Sequence, residues 1–217
     1  MKSILVIGMG RFGSHLASKF QQLGNDVMVV DKDETIINAV ASKYTDALCG
    51  DCTNEDVIKG LGINNFDICF VTIGDNFQSS LEITSLLKEN GAKYIVSKAT
   101  VDMQAKFLKQ IGANEVVYPE KDMAENMAIK FNNNNVYEYI AISGDCAIFE
   151  ISILKSWANR TIVDIDVRKN YNINIVAVKR GDQTFSAPGA DFTFQEDDHI
   201  IIIGDEKSVK KLTKSKN

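Results

Sequence analysis

The spacing of apolar residues changes character about two-thirds of the way along the chain. Up to residue 118, short β-branched runs alternate with stretches of helical period. Residues 3–7 (SILVI), 27–30, 46–49, 67–73, 94–98 and 115–118 read as six strands. Residues 12–23, 36–44, 55–61, 79–89 and 103–110 read as the helices between them. Near-continuous Val/Ile runs belong to strands covered on both faces, and regular alternation with helices implies βαβ units around a parallel sheet. Glycines 24, 91 and 112 stand where helices end.

Pro119 opens one more helix, 119–131 (PEKDMAENMAIKF), with Pro in its first turn and acids near its N-terminus, both favoured there. Four Asn follow at 132–135. They make a poor helix and a good hinge, so the domain boundary is placed there, giving a first domain of 1–132 and a second of 136–217. The second has a different rhythm. Residues 137–143, 147–153, 173–179, 184–188 and 199–204 read as short strands, with Gly-Asp turns at 144–145, 181–182 and 204–205. A short helix near 163–169 and a terminal one at 206–214 complete a small α+β unit without internal repeats.

Composition narrows the classes. The 217 residues are 45% apolar and 24% charged, ordinary for a soluble globular protein and enough for a core without disulfide or metal staples. The formal charge of −5 lacks the basic footprint of a general nucleic-acid binder, so no nucleic-acid partner is expected. No run approaches the ~18 apolar residues of a membrane helix. The start MKSILVIGMG is too short in its apolar run for a signal peptide, which makes a cytoplasmic location the expectation. Two Pro argue against a Pro-rich linker, and two His restrict imidazole-based metal and acid–base chemistry.

The chemistry concentrates in Gly8-Met9-Gly10-Arg11-Phe12-Gly13, which follows a strand and opens a helix. Gly8 allows a tight turn, Gly10 lets the backbone approach a pyrophosphate, and Gly13 lets the helix pack on the strand, while the helix N-terminus offers free N–H groups to phosphate. Asp31 ends the second strand 18 residues after Gly13, a spacing that suits hydrogen bonds to ribose hydroxyls. Together these predict a Rossmann-like nucleotide site. The bland alternatives are a glycine turn that only packs a helix, and an Asp31 that caps the next helix. Asp51 would face the adenine side or cap its loop. Arg11 would reach a phosphate or sit solvated at a helix start. Gly74 and Asn76 lie at the carboxyl edge of the sheet, where ligands bind, or simply make a turn. Cys49 and Cys52 form a single CxxC, weak for zinc or redox work against reduced thiols. Cys69 reads as core, Cys146 as a turn residue, His15 as helix surface, and the lysines of 207–216 as a solvated face.

A dehydrogenase needs a proton relay beside its nicotinamide. The second unit is only about 80 residues, and its one His, His199, sits in an apolar run. A nucleotide site without catalytic apparatus suggests a sensor whose ligand biases one conformation. The alternatives are a small NAD-dependent oxidoreductase and a redox sensor using Cys49 and Cys52.

The segments VIGMGRFGSHLA, VVDKDE, FVTIGDN, IVSKA and IGANEVVYPEKDMAE, followed by IVDIDVRKNYNINIVAVKRG, Pro188 and QEDDHIIIIGD, cover almost the whole chain. In these the chain resembles the cytosolic gating subunits of bacterial potassium uptake systems, the Ktr/Trk-type RCK (KTN) proteins, most of all the KtrA/KtrC type. The resemblance implies an RCK_N domain followed by a small RCK_C domain, and no enzyme activity. It implies a homo-dimer assembling into an octameric ring beneath a membrane-embedded K⁺ translocating subunit (KtrB/KtrD/TrkH-like), peripheral to the inner face of the membrane. It implies ATP or ADP in the N-lobe, ATP favouring the active ring, with NAD(H) in some members. Gly8, Gly10, Arg11, Phe12, Gly13, Asp31, Asp51, Cys52, Gly74, Asn76 and Lys98 fall on its cofactor site, with Arg11 and Lys98 near the phosphates. Glu120 matches a carboxylate for a divalent cation (Mg²⁺ or Ca²⁺), or is only a first-turn acid. Ile162, Arg168, Asn174, Ile175 and Pro188 match a cyclic di-AMP site between two subunits, or a dimer surface without ligand. Asn172 stands where the family pattern has Gly, the next best residue for φ > 0, and Asn170 where a small residue is common.

Overall fold

In the computed structural model, residues 1–132 and 135–214 are described. The chain separates into two compact units, Met1–Lys121 and Asp122 onward. The division falls in the first turn of the helix opened by Pro119. Of the Asn run 132–135, residues 133 and 134 lie outside the described residues, as do 215 and 216 of the lysine cluster.

In the first unit, β1 (Ser3–Ile7), β2 (Asp26–Asp31), β3 (Asp46–Cys49), β4 (Ile68–Val71), β5 (Ile95–Lys98) and β6 (Glu115–Val117) form a six-stranded sheet in the order β3-β2-β1-β4-β5-β6. Every neighbouring pair is parallel. The crossovers are α1 (Arg11–Gln22), α2 (Glu34–Val40), α3 (Glu55–Gly60), α4 (Phe77–Glu89) and α5 (Asp102–Ile111). Side chains of a strand alternate between faces. Leu5 and Ile7 therefore enter one core with Ile58, Ile83 and Leu87, while Ile4 and Val6 enter the opposite core with Ala17, Val29 and Ile37. Each such wholly buried aliphatic side chain contributes about 1.5–3 kcal/mol. The chain reaches β2 on one side of β1 and β4 on the other, so the crevice at the carboxyl ends of β1 and β4 is where a doubly wound sheet binds its ligand.

Local chemistry adjusts the expected boundaries. The stretch 36–44 is not one helix: α2 ends at Val40 and a 3₁₀ turn, Ala41–Lys43, follows. The side chain of Asp33 caps α2 by accepting from Thr35 and Ile36 N–H, and that of Asn76 caps α4 by accepting from Ser79 N–H.

From Asp122 on, the rest of α6 (Pro119–Phe131) belongs to the second unit, and it leads into β7 (Val136–Ser143), β8 (Cys146–Ser152), α7 (Ile162–Ile165), α8 (Val167–Tyr171), β9 (Ile173–Arg180), β10 (Gln183–Ser186), β11 (His199–Asp205) and α9 (Glu206–Lys214). The strands make an antiparallel sheet in the order β10-β9-β11-β8-β7. One face carries Phe149, Ile151, Ile200 and Ile202 into a core with Trp157 and Phe194. The Gly-Asp pair at 204–205 is not a turn but the last two residues of β11, paired with Ala147 and Cys146. Cys146 likewise starts β8, because the turn before it is only Gly144 and Asp145. The expected helix near 163–169 is two helices, broken at Asp166, which takes φ +48°. Asn172 takes φ +55°, the conformation for which Asn substitutes best for Gly. Among the described residues no helix is long and apolar enough to cross a membrane.

Candidate functional site

The crevice between β1 and β4 holds a cavity of about 370 Å³, within the range of small-ligand sites. Its wall is built by the loops after four successive strands: Gly8 and Gly10 after β1, Asp31 at the end of β2, Asp51 and Cys52 after β3, and Gly74 and Asn76 after β4. The three loop glycines have three different reasons to be glycine. Gly8 takes φ +98°, and a Cβ there would lie 2.9 Å from Ile73 Cγ1. A Cβ on Gly13 would lie 2.0 Å from the Gly8 carbonyl oxygen and 2.5 Å from Thr72 Oγ1. A Cβ on Gly10 would meet nothing within 4 Å. Packing therefore demands Gly13 and conformation demands Gly8, but nothing within the protein demands Gly10, which is exposed and lines the cavity. Gly10 begins α1 without a side-chain cap, and no acid occupies the first turn, so this helix end keeps N–H groups free for an anion. Thr72 fixes the loop from below, its hydroxyl lying 2.5 Å from Gly8 O and 3.0 Å from Ile7 O.

One end of the cavity is acidic. Asp31 accepts from Met9 N–H at 2.6 Å and Asp33 N–H at 2.9 Å, so it ties the glycine loop to β2 instead of capping α2. Asp51 accepts from Thr53 N–H at 3.0 Å and Thr53 hydroxyl at 2.8 Å. The Thr53 N–H and hydroxyl, with Lys32 nearby, hold its carboxyl below the usual range, and it stays an anion facing the cavity. It caps its loop and also lines the wall.

Cys52 is buried on the same wall. Burial and the charges of Asp51 and Asp31 push its thiol up to about 12. Cys49 is exposed, its thiol 3.7 Å from Lys32 O. Because the thiolate is the reactive form, iodoacetamide at pH 8 is expected to alkylate Cys49 in the native protein and to reach Cys52 and Cys69 only after denaturation. Peptide mass spectrometry checks this, and rapid native labelling of Cys52 would refute it.

Arg11, Phe12, Gly13 and Lys98 are not part of the cavity lining. Arg11 stands exposed in the first turn of α1, while Gly13 in the same turn is buried and Phe12 half-buried. The Lys98 ammonium lies 5.8 Å from the Phe12 ring centroid, 2.6 Å from Glu120 Oε1, and 3.3 Å from where a Cβ on Gly74 would stand. The Lys98 hydrogen bond, with the charges of Lys98 and Arg11, holds the Glu120 carboxyl below its ordinary range. Among the described residues no three His, Cys, Asp or Glu side chains converge to hold a metal ion. Glu120 is thus engaged by a cation of its own chain.

In the second unit, backbone bonds tie some of the segments that carry the candidate residues. Ile162 N–H donates to Phe192 O, Val163 N–H to Ala190 O, and Ala187 N–H to Val176 O. These bonds set the start of α7 and the loop carrying Pro188 beside β9, which bears Asn174 and Ile175. Arg168 is exposed on α8, and Asn170 donates from its amide to Ile165 O at 2.7 Å. His199 is held by Glu150 at 2.9 Å and stacked on Tyr137, and His15 is exposed on α1.

Four polar residues of the site, Thr53 among them, escape the sequence pattern. Lys32 and Ser79 line the cavity and Thr72 lines it from the floor. Lys32 follows Asp31 directly, and Thr72 ends the apolar run of β4, so position relative to a strand's carboxyl end was the signal available for each.

Residues 4–119 match the TrkA-N domain family and residues 147–217 the TrkA-C domain family. The chain is 39% identical to Ktr system potassium uptake protein C of Bacillus subtilis over 98% of its own length and 96% of the relative's. It is 35% identical to Ktr system potassium uptake protein A of the same organism, over 97% and 95% of the two lengths. Among solved structures it resembles a GsuK channel bound to NAD, with TM-score 0.69 and 15% identity, covering 97% of this chain and 38% of that longer one; that likeness shows the fold. Two family models that match most of this chain, and two relatives alike over nearly their full length, place the chain plainly: it belongs to the TrkA-N/TrkA-C (RCK) family of Ktr potassium uptake proteins.

Proposed function

We propose that this chain is a nucleotide-sensing, non-catalytic gating subunit of a potassium transporter. The observation that carries the nucleotide site is Gly10: a glycine that lines the cavity, with open space where its side chain would be, at an uncapped helix N-terminus. In this reading Asp31 and Asp51 take the ribose and adenine end, and the first turn of α1 takes the phosphates. Arg11 and Lys98 read the charge beyond them, and Gly74 and Asn76 floor the far end. ATP and ADP are the ligands, with NAD(H) as a further one; the GsuK channel of the same fold is bound to NAD. A γ-phosphate adds charge that a guanidinium pairs well. Arg11→Ala is therefore expected to weaken ATP about tenfold and ADP much less, measured by titration calorimetry. Equal losses would remove Arg11 from γ-phosphate sensing.

Lys98 and Glu120 form an exchangeable pair. A phosphate attracting Lys98 would release Glu120 toward a divalent cation, whose remaining ligands must come from phosphate oxygens and a second subunit. Residues 1–132 act as the nucleotide lobe and 136–217 as the assembly lobe. There Ile162, Arg168, Asn174, Ile175 and Pro188, doubled by a second copy, form the cyclic di-AMP surface. Dimers build an octameric ring under a KtrB/KtrD/TrkH-like subunit, which supplies the membrane span and keeps this chain at the inner face. A thermal-shift panel of ATP, ADP, NAD, NADH and cyclic di-AMP, with and without Mg²⁺ or Ca²⁺, tests the reading, because a ligand that binds only the native state raises its melting temperature. No shift with any adenine nucleotide, or a strictly monomeric mass with and without ATP, would sink it.

A further inference from the structure

Behind the far end of the cavity lies a group of polar side chains with no exposure at all: Ser80 and Thr84 on α4, Ser97 on β5 and Gln104 on α5 are each 0% exposed. Burying a primary amide costs about 1–3 kcal/mol unless its hydrogen bonds are replaced. A residue facing inward from an amphipathic helix, one turn from the buried Leu108, would ordinarily be apolar. Gln104 has its bonds replaced in one particular arrangement. Its Oε1 accepts from Thr100 N–H at 2.8 Å and from Thr100 Oγ1 at 3.1 Å, and its Nε2 donates to Ser80 Oγ at 2.7 Å. A main-chain N–H can only donate, so the amide orientation is fixed by Thr100.

Each partner leads to the cavity wall. Thr100 Oγ1 lies 3.5 Å from Gly74 O, and its methyl would be 3.0 Å from a Cβ on Gly74. Tyr118 hydroxyl donates to Thr100 O, holding it from the other side. Ser80 Oγ donates to Phe77 O at 3.0 Å in the first turn of α4, the turn that Asn76 caps and from which Ser79 lines the cavity. One buried amide thus spans the two segments that form the far wall, the strap at Gly74 and the start of α4.

We propose that Gln104 is a positioning residue for the nucleotide site, setting the Gly74 strap against the first turn of α4 and so determining affinity for the part of a ligand that extends past the glycine loop. This rests on the nucleotide reading above. Gln104 touches neither Asp31 nor Asp51, so it acts on the extended portion and not on the nucleoside. Thr84 is the internal control. It is equally buried, its hydroxyl bonds Ser80 O at 2.7 Å and Ser97 Oγ at 2.9 Å, and it does not bridge to Thr100.

Titration calorimetry of the full chain with adenosine, ATP and NAD tests this, at a temperature where circular dichroism shows each variant folded. Gln104→Met is expected to weaken ATP and NAD about tenfold and adenosine less than about twofold, the scale of one or two lost hydrogen bonds. Thr100→Val, which keeps the main-chain donor, is expected to shift the same ratio by a smaller factor and serves if Gln104→Met does not fold. Thr84→Val is expected to lower stability without changing the ratio. Equal losses of adenosine and ATP in Gln104→Met, no loss of either, or the same ratio change in Thr84→Val would overturn the proposal. Wild-type chain that binds none of the three would overturn the nucleotide reading together with it.

Discussion

Gly13→Ala is expected to unfold the first unit, while Gly10→Ala is expected to leave it folded and unresponsive to nucleotide. The methyl added at Gly13 would sit 2.0 Å from the Gly8 carbonyl oxygen, which accepts from the Thr72 hydroxyl, in a residue whose N–H donates to Val30 O. Neither α1 nor β1 can retreat, since Ala17 one turn on is already at 0% exposure against the sheet. Overpacking of this kind costs about 1–3 kcal/mol, and more when backbone must move, so a loss of about 3 kcal/mol or greater is expected. Gly10 meets none of these constraints. Its φ is −65°, which Ala adopts freely, and the space beside it is empty. Ala is the poorer N-cap by a few tenths of a kcal/mol or more, and the lower entropy of its unfolded chain returns about 0.4–1 kcal/mol. The two effects nearly cancel, leaving the ligand-free melting temperature almost unchanged. The ligand response differs. Nucleotide at a hundredfold excess over its Kd stabilises the wild type by about 2.7 kcal/mol, and a methyl that weakens binding a hundredfold leaves about 0.4 kcal/mol. Melting curves of both variants with and without ATP check the pair. If Gly10→Ala loses as much stability as Gly13→Ala, or keeps the full ligand shift, the glycine loop is a packing device and not a phosphate cradle.

The architecture of the first unit was legible because its strands are covered on both faces, which leaves runs such as Ile4, Leu5, Val6 and Ile7 with no polar interruption. The cavity residues were legible for a related reason: a doubly wound sheet presents its ligand at strand carboxyl ends, so Asp31, Asp51 and Gly74 could be found by locating the strands. What escaped is set by tertiary packing. On α5, hydrophobicity alone would turn Met103 and Phe107 inward, yet they are 59% and 39% exposed while Gln104 is 0%. Five-residue neighbourhoods carry no sign that Thr100 and Ser80 wait on the other side. In the second unit, the pair at 204–205 reads as a turn from its Gly-Asp identity, but Gly204 is where Ile173 Cγ2 approaches to 3.0 Å of a would-be Cβ, so the glycine serves close strand packing. The Lys98–Glu120 pair joins residues 22 apart in sequence and has no local signature at all.

Breaking the Arg180–Asp198 pair is expected to be the most destabilising single change in the second unit. Asp198 is 0% exposed and accepts three donors, Arg180 Nε at 2.7 Å, Arg180 Nη2 at 2.8 Å and Gln195 N–H at 2.8 Å. Its own main chain bonds Ile153 N–H and Gln195 O, so the residue fastens the loop before β11 to β8 and β9. That loop carries Phe192 and Phe194, and Phe194 packs at 5.9 Å on Trp157. The guanidinium also covers the rings of Phe185 and Phe192 at 5.5 and 5.3 Å, and the Asp198 hydrogen bond holds it protonated beyond its ordinary range. The two partners are unequal in their access to water. The Arg180 side chain is 30% exposed and can hydrate when left alone, whereas a lone carboxylate at Asp198 cannot. Removing one partner of a buried pair costs about 3–5 kcal/mol because the other charge stays behind. Arg180→Met is therefore expected at the upper end of that range and Asp198→Asn at or below its lower end, although the second change is the more conservative in shape. The double variant is expected to lose less than the sum of the two. Trp157 is the single tryptophan of the chain and 1% exposed in this core, so its fluorescence in urea reports this unit alone. Equal losses for the two single variants would mean that solvent reaches Asp198 as readily as Arg180, and additive losses would mean that the pair contributes packing and no charge coupling.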